Sequence, residues 1–165
     1  NTALGINPRQ TAREMIEGTG EALNHSLTVA RTEQLRVYRE AGRQQYETTG
    51  LVNDYKRLSA KDARTCAVCL ALDGEIYPTG ELMHVHACDR CTMVPNVIGM
   101  PRIEWETGGQ WLRKQDPDIQ AEILGPGAYE LLNAGKIELK DLAQKVEHET
   151  WGPSLQRTPL SELTQ

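Results

Sequence analysis

Cys66-Ala67-Val68-Cys69 and, eighteen residues further on, Cys88-Asp89-Arg90-Cys91 hold all four cysteines of the chain. Two residues between thiolates let a tight turn aim both sulfurs at one ion, and two such turns can close a tetrahedron. The pattern C-x2-C-x18-C-x2-C lies in the range read as a zinc site. The flanking segment needs such a staple. Val52, Tyr55 and Leu58 are spaced for a short strand, Glu75–Pro78 for another after the Asp73-Gly74 turn, and Met83–His86 and Met93–Val97 for two more. Turns are many and apolar residues few, whereas a structural zinc contributes roughly 10–16 kcal/mol in small domains. The expectation is one structural zinc per chain, held by Cys66, Cys69, Cys88 and Cys91. His86 is an alternative ligand, able to replace Cys88 or to hydrogen-bond a sulfur. Two disulfides would require an oxidising compartment, and a redox C-x-x-C would require a βαβ setting that the pattern lacks.

Helical patterns flank this segment. Asn7-Pro8 reads as an N-cap with Pro at the first position, opening a helix to about Glu17 that Gly18 and Gly20 break. A longer helix is expected from about Glu21 to Glu47, ending near Gly50. Leu23, Leu27, Ala30, Val37, Tyr38 and Ala41 share one side of it. Glu33, Arg36, Arg39, Glu40, Arg43 and Glu47 share the other, as a solvated face of ion pairs. Further on, Thr107 caps Gly108–Gln115, Asp116-Pro117 starts a helix to Leu124, and Ala128–Ala134 forms another. Ile137–Glu147 reads as a last helix, left at Trp151-Gly152-Pro153 for a polar tail. The fold expected is α+β, mostly α: helical lobes at 1–50 and 101–165 flanking a zinc-knuckle lobe of short strands at 51–100.

Composition narrows the function classes. The 165 residues carry a net charge of -5, 39% hydrophobic residues and no Phe, which describes a soluble surface over a Leu/Val/Ile/Ala core. No apolar run approaches the ~20 residues needed to span a bilayer. The isoelectric point of about 5.4 disfavours general DNA binding. Locally, however, Lys56, Arg57, Lys61 and Arg64 crowd the approach to the first knuckle, and they are the candidates for contacting a nucleic acid. Four thiolates would leave no open position for a catalytic water. H-E-x-x-H, Walker, G-x-S-x-G and deaminase signatures are all missing. The sequence therefore leads to a non-enzymatic protein with no small-molecule substrate.

A resemblance adds to this reading. Ala30-Arg31-Thr32-Glu33 inside a helix, followed by Asp62-Ala63-Arg64-Thr65-Cys66-Ala67-Val68-Cys69 with Leu72-Asp73-Gly74 close behind, resembles the Mu-F-like phage head morphogenesis family, the minor head proteins. The family pattern continues with a His and a closely spaced Cys-Arg-Cys. Here it stands as His86-Ala87-Cys88-Asp89-Arg90-Cys91, with Pro95 trailing and one residue inserted between the cysteines. That insertion leaves the ligand position open between His86 and Cys88. Trp111-Leu112, Gln120, Ile123-Leu124-Gly125 and Gly135–Leu142 are similar to the C-terminal part of many members, so the likeness runs from about Pro8 to Leu142. The resemblance implies a virion component made in the bacterial cytoplasm and associated with portal or capsid proteins, acting in head assembly or DNA ejection, with packaged DNA as a further candidate partner. It also implies that the chain, which starts at Asn1, is the C-terminal part of a longer polypeptide. Arg31, Thr32 and Glu33 are then candidates for connecting the long helix to the zinc lobe, Thr32 also bonding back one turn.

Overall fold

Asn7 opens the first helix as a cap, its Oδ1 accepting from the Arg9 N–H at 2.9 Å, with Pro8 in the first helical position. The computed structural model describes residues 7–19, 23–149 and 152–164. Gly20 and Glu21, where a helix break and a helix start are expected, lie outside the described residues, as does Trp151. Helix α1 (Pro8–Thr19) lies against α2 (Leu23–Thr49), and Ala12, Ser26 and Ala30 are buried. The fold is α+β.

Helix α2 departs from its expected faces. Twelve residues of α1 reach about 18 Å, less than half the length of α2, and the bond from Gln34 to the Thr11 hydroxyl (3.4 Å) ties residue 34 of α2 to α1. Beyond it the expected apolar side is bare: Val37 is 49% and Tyr38 72% exposed. The opposite side docks instead on the rest of the molecule. Arg39, expected on a solvated face, is 4% exposed. Gly42 lies so close to Met93 that an added Cβ would stand 3.2 Å from its Cε. Tyr46 meets the Tyr55 ring at 6.2 Å. The remaining polar residues do form the expected surface pairs, Arg36 with Glu33 and Arg43 with Glu40 and Glu47.

Strand β1 (Val52–Leu58) is the centre of an antiparallel sheet, with β2 (Ile76–Pro78) on one side and β3 (Thr92–Val97) on the other. Tyr55 pairs with Tyr77 and Pro95, and the proline is tolerated because β3 is an edge. In a chain without Phe, tyrosines supply the aromatic packing: Tyr55 and Tyr77 stack at 5.5 Å. They share a core with Cys69, Met83 and Cys91. The strand expected at Met83–His86 does not form; that stretch is irregular. The Val85 carbonyl is taken instead by the backbone N–H of Leu155 and the hydroxyl of Ser154, from the C-terminal hairpin.

A second core gathers around the short helix α3 (Ala67–Ala71). Ala67 and Leu70 pack with Leu112, Leu124, Ala128, Ile137 and Leu142, so this core crosses residue 100. Helix α4 (Gly108–Arg113) begins with a complete capping box between Thr107 and Gln110, and α5 (Pro117–Leu124) and α6 (Pro126–Asn133) follow. Residues 137–147 correct the expected last helix. They form a single 3-10 turn, Leu139–Leu142, and then strand β4 (Ala143–His148), paired with β5 (Gly152–Arg157). The expected polar tail is thus the partner strand and carries the buried Leu155, followed by the one-turn helix α7 (Leu160–Leu163).

Candidate metal centre

The first sulfur turn is built by local hydrogen bonds. Asp62 accepts from the Arg64 N–H and the Thr65 hydroxyl, each at 3.0 Å, and the Thr65 hydroxyl accepts from the Asp62 N–H. This closed loop delivers the chain to Cys66, which caps α3: its Sγ accepts from the Cys69 N–H at 3.4 Å. Helix α3 therefore has two jobs. Cys66 and Cys69 face the cluster, while Ala67 and Leu70 face the second core.

The other side is a turn from His86 to Cys91. The Asp89 N–H bonds back to the His86 carbonyl at 3.1 Å, and Cys88 takes the left-handed conformation, φ 57°. His86 Nδ1 lies 2.8 Å from the Ala87 carbonyl. In the neutral imidazole, donation there would leave Nε2 the lone pair, and Nε2 lies 3.2 Å from Cys66 Sγ and 3.1 Å from Cys69 Sγ. Two overlapping groups result, Cys66–Cys69–His86 and Cys69–Asp89–Cys91, with the ligand atoms of each within 4.8 Å of one another. The Cys88 thiol belongs to neither group. The spacing that the geometry brings together is thus C-x2-C-x16-H-x4-C, with His86 in the position left open. His84 contributes only its carbonyl, to Arg57.

A buried charge network lies behind the sulfurs. Arg57, fully buried, donates to Asp89 Oδ2 at 2.5 Å and to the His84 carbonyl at 2.6 Å, and it approaches Cys69 Sγ at 3.7 Å. Arg39 donates to the Cys91 carbonyl at 2.6 and 3.0 Å, to the Asp89 carbonyl at 2.7 Å and to Asp89 Oδ1 at 3.3 Å. Asp89 Oδ1 also accepts from the Cys91 N–H at 2.6 Å. Burial works against every one of these charges. Asp89 is nevertheless held below the usual carboxylate range, because Arg57 and Arg39 outweigh its desolvation. Burial lowers Arg39, and Asp89 offsets this in part.

The titratable groups of the cluster perturb one another strongly. The Cys66 thiol is drawn down to about 4, first by its hydrogen bond with Cys69 and then by His86. Cys69 is pushed up by its hydrogen bonds with Cys66 and Cys91, by burial and by Asp89. Burial opposes the His86 charge, but Cys66 and Asp89 prevail and push it up to about 9. Three sulfurs so close cannot all ionise unless a cation sits among them. With a divalent ion, three thiolates and a neutral imidazole carry one negative charge. Asp89 adds a second, and Arg39 with Arg57 cancels both. In a tetrahedral zinc shell neighbouring S and N ligands stand about 3.5 Å apart; His86 Nε2 lies at 3.2 and 3.1 Å from the Cys66 and Cys69 sulfurs, while Cys91 shares a group with Cys69 but not with Cys66 or His86. Cys66, Cys69, His86 and Cys91, together with Cys88, line an opening of ≈ 40 Å³. These residues form a Cys/His cluster that could bind a metal ion.

Of the basic residues proposed for nucleic acid, Lys56 and Lys61 are brought together at the Trp105 ring, 4.5 and 5.9 Å from its centroid. Arg57 is enclosed. Lys56 pairs with Glu104 at 3.1 Å and lies over the Trp105 ring, and Lys61 pairs with Asp73 at 3.1 Å. Arg64 alone of the four is an exposed cation, 81% open beside Asp62. In the Arg31-Thr32-Glu33 stretch, Thr32 bonds back to the Thr28 carbonyl at 2.7 Å as expected, and its hydroxyl oxygen also accepts from the Cys88 N–H at 3.0 Å. Arg31 is exposed and Glu33 pairs along the helix. Sequence reasoning missed Arg39 and Asp89. The one signal for Arg39 is its place two turns after Thr32, on the same helical face.

No family model, no curated protein and no solved structure matches the chain. Among the described residues no helix is long and apolar enough to cross a membrane.

Proposed function

We propose that this chain is a structural, non-enzymatic component of a tailed-phage head, a minor head protein that associates with portal or capsid proteins. In this reading zinc, bound by Cys66, Cys69, His86 and Cys91, pins a mid-chain lobe between helical elements. The observation that carries the metal part is the Cys69-centred cluster with its charge-balancing arginines. Three thiolates and one imidazole are a donor set that suits a tetrahedral zinc shell, and a filled set of four would leave no position for a reacting water. The phage part rests on the Arg-Thr-Glu and Arg-Thr-Cys-x-x-Cys resemblance. Nucleic-acid binding is the weaker reading, since three of its four basic residues are already engaged or enclosed.

The test is co-expression with the portal and capsid proteins encoded beside it, followed by sedimentation of assembled heads. The protein is expected to travel with the heads in few copies per particle. Recovery only at the top of the gradient, with heads forming normally, contradicts the assignment.

A further inference from the structure

We infer that metal binding is coupled to the docking of α2, with Arg39 and Thr32 acting as positioning residues for the turn that carries His86 and Cys91. The inference rests on the zinc reading above. Helix α2 supplies no ligand, yet it holds the ligand-bearing turn at three backbone groups. Thr32 accepts from the Cys88 N–H. Arg39 donates to the carbonyls of Asp89 and Cys91. Thr32 and Arg39 are seven residues apart, two helical turns, and so reach the same turn from one face.

That turn needs external support. A non-glycine residue in the left-handed region costs about 1–2 kcal/mol, and Cys88 sits there at φ 57°. Thr32 ties down the N–H of that residue. The Asp89 and Cys91 carbonyls belong to buried residues, where an unsatisfied acceptor is costly, and the planar fork of Arg39 meets both at once. Arg39 also supplies one of the two positive charges that neutralise the buried set once a divalent ion is present. Removing it leaves the filled site with an uncompensated negative charge. Linkage is reciprocal: whatever α2 adds to the affinity for the ion, the ion adds to the docking of α2. The α1–α2 hairpin is then an arm whose attachment depends on metal.

The experiment is competition for Zn²⁺ between a chromogenic chelator and the whole protein. Arg39→Met is expected to weaken zinc binding about 10–100-fold, the range for partners that orient ligands, while still taking up one zinc at saturation. Arg39→Lys, which keeps the charge but not the fork, is expected to fall between. Arg36→Met, whose partner is the surface residue Glu33, is expected to match the wild type. At saturating zinc, amide exchange in Arg39→Met should quicken along α2 and stay unchanged in β1. A folded Arg39→Met with wild-type zinc affinity overturns the coupling. Should Arg39→Met fail to fold, Thr32→Val is read in its place: a several-fold loss supports the coupling and an unchanged affinity overturns it. Wild-type protein that takes up no zinc defeats the zinc reading and the coupling together. Zinc-binding wild type beside an equally tight Arg39→Met defeats the coupling alone.

Discussion

Cys69 is the sulfur on which both ligand groups converge, and its neighbours separate the two residues that sequence left as alternatives. His86 Nε2 reaches it at 3.1 Å, with Nδ1 turned to the Ala87 carbonyl, whereas Cys88 belongs to neither ligand group. Cys88→Ser should therefore keep one zinc per chain with affinity within a few-fold of wild type, while His86→Ala should lower affinity by far more. Chelator competition on the two variants measures the order. The choice was illegible in the sequence because it depends on one backbone angle at Cys88, which no spacing rule encodes. The first knuckle was legible because C-x-x-C geometry is local. Tyr55 gives a prediction of another kind. Burial pushes its hydroxyl up to about 12, and that hydroxyl donates to the Glu81 carbonyl at 2.5 Å. An acid whose folded pKa is raised holds its proton while the unfolded chain releases it. Stability should fall as pH rises from about 10, until the native hydroxyl ionises near 12. Urea midpoints across that interval should drop more steeply for the wild type than for Tyr55→Phe.

Helix α2 shows why a wheel drawn for one apolar face misleads. Its neighbours lie on opposite sides, α1 against the first half and the sheet and sulfur turn against the second. Val37 and Tyr38 continue the α1-facing stripe past the point where α1 runs out. Polar replacements, Val37→Gln and Tyr38→Gln, should change stability by no more than about 0.5 kcal/mol; thermal or urea melts decide. Residues 137–147 failed for a related reason. Ile137, Leu139, Leu142 and Val146 can be placed on a helix, but the backbone partner that makes β4 a strand lies beyond Gly152. Pairing at that distance overrides local pattern. The caps at Asn7 and Thr107 and the proline starts at Pro8 and Pro117 were legible, since each acts within one turn, although the Asp116 side chain makes no capping bond. The contact of α4 with α3 depends on Gly108, where an added Cβ would stand 2.8 Å from the Leu70 Cα. Gly108→Ala should destabilise by about 1–3 kcal/mol, with Gly109→Ala, whose added Cβ would meet the flexible Leu139 side chain at 3.3 Å, costing less.

At the scale of the molecule, α3 joins two cores that a three-lobe reading keeps apart, with sulfurs on one side and Ala67 and Leu70 on the other. A metal at Cys66 and Cys69 therefore anchors the sheet, the C-terminal core and, through Arg39, the long helix. The protein exposes 10097 Å², more than the roughly 8,200 Å² expected of a compact chain of its mass. Exposed Leu51, Ile98, Met100 and Ile103 around the end of β3 contribute to that surface. Because one ion is asked to hold three units together, its coordination is the claim on which the rest depends. X-ray absorption on protein purified without chelator tests it most directly. The account predicts one zinc per chain bound by three sulfurs and one imidazole nitrogen. Metal-free protein with Cys66 and Cys69 oxidised to a disulfide, or a shell of four sulfurs, would contradict it.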